Sequence, residues 1–212
     1  MNGRKRLHRI TARLVPDHVL NAPAVVAHAR LVVIGGDSHR LHEEIITAGG
    51  MLKEGRFSRL NIGELEKLLA AATDDEAYEP MQQHLLELWD RVAQPLAQSL
   101  EARMKDRASG LQKKLGERAE KEADDIRAIL LELKRAIDSE LDEPEYEQLA
   151  LFDTLEKDQF ERNKDFLRAR SKAIPAEIEQ ETEAIKARYT DPQPRMFPVA
   201  VTFLVPEKMR KG

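Results

Sequence analysis

Arg195-Met-Phe-Pro-Val-Ala-Val-Thr-Phe-Leu-Val-Pro206 sets β-branched and aromatic residues between punctuating prolines, the composition of a strand. Val199, Val201, Phe203 and Val205 fall on one face, and Ala200, Thr202 and Leu204 on the other. Both faces are largely apolar, which predicts an interior strand with neighbours on both edges. The other strand candidates are Arg30-Leu-Val-Val-Ile34 and Arg56-Phe-Ser-Arg-Leu-Asn-Ile62, both far upstream. The two ends of the chain are therefore expected to meet in one sheet, with the intervening sequence inserted between its strands.

That intervening sequence has a helical period. Met81, Leu85, Leu88, Val92, Leu96, Leu100 and Met104 step by three or four, and the row continues from Leu111 to Leu141 among Glu, Lys, Arg, Asp and Gln. One apolar stripe on a solvated rod is the pattern of a coiled-coil-like helix. Pro95 is expected to bend it, and Gly110 and Gly116 to weaken it by about 1 kcal/mol each. Asp138–Pro144 is acidic and lacks periodicity, so it reads as a turn. A second row runs from Tyr146 to Tyr189, with a kink or short break expected near Ala173–Ile174, ahead of Pro175. Two such arms, roughly 90 and 65 Å long at the helical rise, would cover each other's stripes as an antiparallel hairpin.

The expected fold class is α+β and predominantly helical. Residues 1–75 and 192–212 form a small α/β base domain, and 76–191 form a long helical hairpin with arms at about 78–138 and 145–189. Within the base, Ser38–Ala48 reads as a helix capped by Asp37 or Ser38 and ended by Gly49-Gly50. Glu64–Ala72 reads as another.

Composition supports extended, solvated helices: 34% of the 212 residues are charged and 5% aromatic, with a mean hydropathy of −0.53. The absence of cysteine excludes disulfides, thiolate nucleophiles and Cys-ligated metal sites. No apolar run approaches the ~20 residues of a membrane span. The basic start, MNGRKRLHRIT, leads into no apolar stretch, so a cytoplasmic protein without a membrane partner is expected. Charge is unevenly spread: residues 76–190 hold 27 Asp+Glu against 19 Lys+Arg, whereas 1–75 hold 9 against 11.

Motifs with chemical content are few. Ile34-Gly35-Gly36-Asp37-Ser38 resembles a phosphate-holding strand–helix junction but lacks G-x-G-x-x-G spacing, and an ordinary capped β–α turn is favoured. Asp74-Asp75-Glu76 has the look of a helicase acidic box without a phosphate loop, and its acids are expected to start the long helix. His39, His42 and Glu43 fall one turn apart on the expected helix, yet supply no third converging ligand, so no metal site is assigned. Trp89 is expected to pack within the hairpin. Arg4, Lys5, Arg6, Arg9 and Arg13 form the densest basic cluster and the candidate nucleic-acid contact.

Two stretches carry a family resemblance. Arg40-Leu-His-Glu-Glu-Ile-Ile-Thr-Ala-Gly-Gly-Met-Leu-Lys-Glu-Gly-Arg-Phe57 resembles a segment that follows the motor in large bacterial Swi/Snf-type helicases. Ile185-Lys-Ala-Arg-Tyr189, followed by Pro192, Arg195 and Pro198–Pro206, resembles their extreme C-terminus. The group most similar is the Swi/Snf-like helicases of bacterial defence loci, including the DISARM anti-phage system. The resemblance implies an accessory C-terminal, non-motor region of an ATP-driven DNA translocase. Motor motifs are absent, so no catalytic residue carries over and no activity of its own is expected. No cofactor is expected either, ATP and magnesium belonging only to an attached motor.

The resemblance also implies partners: helicase motor domains or other subunits of a defence complex, with DNA as a further candidate. A homodimer is compatible with the same reading. The alternative is a free-standing coiled-coil interaction or oligomerisation protein, since unequal arms would leave part of a stripe uncovered. A small hydrolase or metalloenzyme on the His-rich base ranks last.

Overall fold

The computed structural model describes residues 10–75, 79–142 and 154–211. Its elements in chain order are β1 (Ile10–Val15), β2 (Ala24–Ile34), β3 (Arg40–Lys53), β4 (Arg56–Arg59), α1 (Ile62–Ala71), α2 (Glu79–Glu87), α3 (Trp89–Asp142), α4 (Thr154–Tyr189) and β5 (Gln193–Pro206), followed by a 3-10 turn over Glu207–Lys211. The protein is α+β, with helices holding more than half of the described residues and one mixed five-stranded sheet.

The strand order is β1-β5-β2-β3-β4. The valine-rich segment is interior, as its two apolar faces predict. It runs parallel to β1, with Ile10 opposite Val201 and Val15 opposite Pro206, and antiparallel to β2, with Ala24 opposite Leu204. The upstream candidate Arg30–Ile34 is the end of β2, and Arg56–Ile62 supplies β4, which pairs with β3 and not with β5.

The helix expected over Ser38–Ala48 is instead strand β3, joined to β2 by a tight turn and paired with it along its length. Two side chains explain the misreading. Glu44 lies on the same face as buried Ile46 and Ala48, and the apolar side chain of Ile45 faces solvent at 60% exposure. Gly49-Gly50 ends no helix. A Cβ on Gly49 would lie 2.5 Å from the Val25 carbonyl oxygen, and one on Gly50 2.5 Å from the Phe57 ring. These glycines let β3 approach its neighbours closely. β3 then turns into β4 through Glu54-Gly55, both at positive φ (53° and 73°), as a two-residue hairpin loop requires.

Two compact units divide the described residues. One comprises the strands, Arg40–Leu111 and the segment from Gln193 onward; the other comprises Gly35–His39 and Gln112–Pro192. The division falls inside α3, whereas the sequence reading drew it at residues 75 and 192.

In the first unit, one sheet face buries Val25, Ala27, Leu31, Phe203 and Val205 beneath Met81 and Leu85 of α2 and Val92, Leu96 and Leu100 of α3. Trp89 packs at this cluster, not in the hairpin where the sequence reading put it. The opposite face buries Val26 and Leu204 beneath Leu65 and Leu68 of α1. α1 begins at a capping box: Asn61 Oδ1 accepts from the Glu64 N–H, and Glu64 Oε2 accepts from the Asn61 N–H, both at 2.9 Å. The helical row breaks at Leu88, between α2 and α3, and continues as helix through Pro95. There the Ser99 hydroxyl donates to the Pro95 carbonyl at 2.9 Å.

In the second unit, Leu130 and Ile137 of α3 cluster with Ile174 of α4. Moving forward along α3 meets residues further back on α4: the Tyr189 hydroxyl donates to Glu122 at 2.8 Å, and Ser171 donates to Asp138 at 2.5 Å. Lys134 completes this cluster, 2.5 Å from Asp138 and 3.1 Å from the Ser171 hydroxyl. Its ammonium, together with the Ser171 hydroxyl, holds the Asp138 carboxyl below its ordinary value. α3 continues as helix to Asp142, through most of the expected turn, and α4 runs through Pro175 without a break. Pro144 and the start of the expected second arm lie outside the described residues.

The turn Gly35–His39 belongs to this unit. It is the reverse turn of the β2–β3 hairpin, not the β–α junction expected from its glycines. The Asp37 side chain accepts from the His39 N–H at 3.0 Å, shaping the turn. The Gly36 N–H donates to the Arg188 carbonyl at 3.1 Å, and Arg188 Nε donates to Asp37 at 3.1 Å. A helix leaves its last carbonyls unmatched. Here the Thr190 N–H, the Thr190 hydroxyl and the Gly36 N–H take up those of Ala187, Lys186 and Arg188. A Cβ on Gly36 would stand 2.7 Å from the Ala187 carbonyl oxygen, so this approach requires glycine.

Candidate functional site

Of the basic cluster, Arg13 lies on β1 and donates to Asp74 at 3.1 Å across an exposed surface. Arg4, Lys5, Arg6 and Arg9 lie outside the described residues. Asp74 and Asp75 precede α2 and do not start it; Glu76 lies outside the described residues. Their segment instead seals the outer edge of β1, with the Leu14 N–H donating to the Asp75 carbonyl at 3.3 Å and the Thr73 N–H donating to the Leu14 carbonyl at 2.9 Å. An edge strand is thereby partly covered.

The histidines separate. His39 sits in the β2–β3 turn, 2.9 Å from Asp37, and His42 lies on β3, 3.7 Å from Glu44. Strand geometry, not a shared helical face, disperses His39, His42 and Glu43. Among the described residues, no group of three potential metal ligands converges.

A concavity of the first unit lies where β3 outruns β4. The β3–β4 ladder ends at Gly50 opposite Arg59, and a last bond joins the Leu60 N–H to the Gly49 carbonyl at 3.0 Å. Upstream of Gly49, β3 has no strand on that side among the described residues. Backbone groups alternate in direction along a strand. Gly49 faces the β4 side, so Thr47 and Ile45, two and four residues back, present their N–H and C=O groups to the same open edge.

Two adjoining clefts of about 610 and 320 Å³ follow this edge, sharing Thr47, Ile62, Leu65 and Arg103 in their walls. α1 supplies an apolar wall, with Ile62, Leu65 and Leu69. α3 supplies a charged one. Arg107 grips Glu44 with two bonds, Nε to Oε1 at 2.8 Å and Nη2 to Oε2 at 2.6 Å. This fork holds the Glu44 carboxyl below its ordinary value despite partial burial. One turn back along α3, Arg103 lines both clefts with its Nε buried and without a hydrogen-bond partner. Sequence reasoning missed this site. The i,i+4 pair Arg103/Arg107 was visible, but nothing in the sequence said which arginine would fork onto a carboxylate.

The structure defines a mixed-sheet α+β protein carrying an open strand edge between an apolar and a charged wall. The chain matches no protein-family model and no curated protein.

Acid sensitivity follows from two groups in this region. His28, hydrogen-bonded to Thr47 at 3.1 Å, has its pKa lowered from 6.5 by burial. The unfolded chain therefore takes up this proton more readily, and stability should begin to fall as pH drops below 6.5, levelling off below the folded value. Glu44 contributes stability that is full above its ordinary value of 4.5 and lost as pH falls through its depressed folded value. Thermal melts from pH 7 down to pH 2 should show both phases, and His28→Gln should remove the upper one alone. Identical profiles for the variant and the parent would contradict this assignment.

Proposed function

We propose that this chain is an accessory, non-motor region of a Swi/Snf-type DNA translocase of the defence-associated group, acting by positioning DNA or docking partner proteins and without catalysis of its own. The observation that carries the reading is the return of β5 between β1 and β2, which makes the strands at either end of the fold neighbours and the helices an insertion. This is the arrangement expected from the two apolar faces of β5, and the two segments of family resemblance lie in β3–β4 and from the end of α4 into β5. The finer part of the proposal is that α3 beyond Leu111 pairs with α4 as an antiparallel, coiled-coil-like hairpin. The reversed order of the contacts Glu122–Tyr189 and Asp138–Ser171 supports it.

The 27 acids against 19 bases over residues 76–190 oppose phosphate binding along the helices. DNA contact is accordingly assigned to Arg4, Lys5, Arg6, Arg9 and Arg13, and protein docking to the helical arms. Titrating a fluorescent 30-base-pair duplex with the whole chain tests this division. Weak binding that fades between 50 and 200 mM salt, and vanishes when the five residues become glutamine, is the expected result. Tight binding that survives those substitutions would overturn it. A reading frame that continues upstream into motor motifs would support the translocase link, and a complete gene with no motor beside it would count against it.

A second reading, self-association through the helices, is favoured by one observation. Ile129, Leu131, Leu133 and Phe166 are exposed on α3 and α4. Sedimentation of the whole chain separates the two, a stable dimer favouring the oligomerisation protein. Among the described residues, no helix is long and apolar enough to cross a membrane.

A further inference from the structure

The geometry points to a peptide-capture site along the open edge of β3, taking an extended segment that alternates apolar residues with a carboxylate. The inference goes beyond the translocase reading and does not depend on it. Three observations converge. The edge from Glu44 to Ala48 is about 14 Å long at strand rise, and the backbone groups of Thr47 and Ile45 have no ladder partner among the described residues. The edge is not merely exposed but lies in a cleft walled by α1 and α3. Finally, Arg103 brings to that cleft a guanidinium whose buried Nε has no hydrogen-bond partner and whose charge acts on Glu44 only through space, whereas its neighbour Arg107 forks onto Glu44.

A strand added at this edge would continue the line of β4, bonding to the backbone of Ile45 and Thr47. Its side chains would alternate between the two walls. Positions i and i+2 would meet Ile62, Leu65 and Leu69, and position i+1 would meet Arg103. A guanidinium with an unbonded Nε beside an open backbone edge rewards a carboxylate at that middle position. The partner is therefore a protein segment of the pattern apolar–acidic–apolar. Nucleic acid, with a charge on every nucleotide, is disfavoured because Glu44, Glu66 and Asp106 also line the clefts, whereas a peptide with a single carboxylate need meet only Arg103.

The test uses the whole chain and a fluorescein-labelled Thr-Val-Glu-Val-Thr peptide, followed by anisotropy and by amide chemical shifts. Saturable binding is expected, with shifts centred on Ile45 and Thr47. Replacing the peptide's Glu by Gln should weaken it about fivefold or more, as loss of a charge-assisted bond does. Arg103→Gln should weaken the acidic peptide and erase the Glu/Gln difference, and methylating a peptide nitrogen that faces β3 should abolish binding. Circular dichroism checks that the variant is folded, and the Glu/Gln comparison on the unaltered chain stands even where the variant fails to fold. No binding up to 1 mM, no preference for Glu, or shifts clustered away from β3 would each overturn the proposal. So would concentration-dependent pairing of two copies through this edge.

Discussion

Phe203→Ala is expected to lower the unfolding free energy of the sheet unit by about 3–5 kcal/mol, the range for emptying a packed aromatic site. Phe203 is 1% exposed. It lies on β5 opposite Ala12 of β1 and Val25 of β2, on the face covered by α2 and α3. Its loss opens a cavity between the sheet and its covering helices, and the strands flanking it on both sides limit how far the site can collapse. Domains of this size are stable by only about 5–15 kcal/mol, so a large share of the margin would go. Urea unfolding followed by the single tryptophan is the measurement, since Trp89 packs against this same cluster. Val199→Ala, at an exposed site on the same strand, should change stability by less than about 0.5 kcal/mol. Equal effects of the two substitutions would mean that the β5 core is not where it is described.

Gly49→Ala is the second large effect, expected to cost about 1–3 kcal/mol through overpacking. The added methyl would meet the Val25 carbonyl oxygen at 2.5 Å, the Leu65 side chain at 2.9 Å and the Val26 Cα at 3.1 Å. Two of these three are main-chain atoms of β2, which can yield only by loosening the β2–β3 ladder. The alternative is for α1 to lift away from the sheet, exposing Leu65 and Leu68. Gly110→Ala makes the contrasting control. Nothing lies within 4 Å of its Cβ position, and replacing a helical glycine with alanine should raise stability by up to about 1 kcal/mol. Chemical denaturation of both variants checks the signs, and a neutral Gly49→Ala would contradict the close approach of β3 to its neighbours.

What could be read in the sequence follows how completely each element meets its requirements locally. β5 carries apolar residues on both faces, so its interior place and distant partners were legible. α1 was legible as a helix over Glu64–Ala72, but its cap Asn61 was read as part of the preceding strand, and the long helical rows were legible through their spacing. β3 was not legible, because the charge of Glu44 is satisfied by Arg107, 63 residues later, and local spacing registers only an acid where a strand core should be. β1 was hidden for a related reason. Within Ile10–Val15 only Leu14 and Val15 are buried, and the preceding arginines draw attention to charge. The glycines of the β2–β3 turn and of β3 were visible as glycines, but the carbonyl oxygens they accommodate belong to other parts of the chain. The cleft beside β3 arises where one strand is longer than its neighbour, a difference that no single segment displays.

The position of β5 also governs the order in which the molecule can be made. Among the described strands, β1 pairs with β5 alone, and Ile10 must wait for Val201 to leave the ribosome before its ladder can form. Throughout synthesis β2 likewise keeps one edge bare, although β3 and β4 can close on the other side as soon as they emerge. A nascent β2–β3–β4 meander is thus the earliest sheet available, and β5 then enters between β1 and β2. Closing so large a loop makes for slow folding, and it leaves two unpaired edges open to chaperones, or to wrong partners, until the last strand arrives.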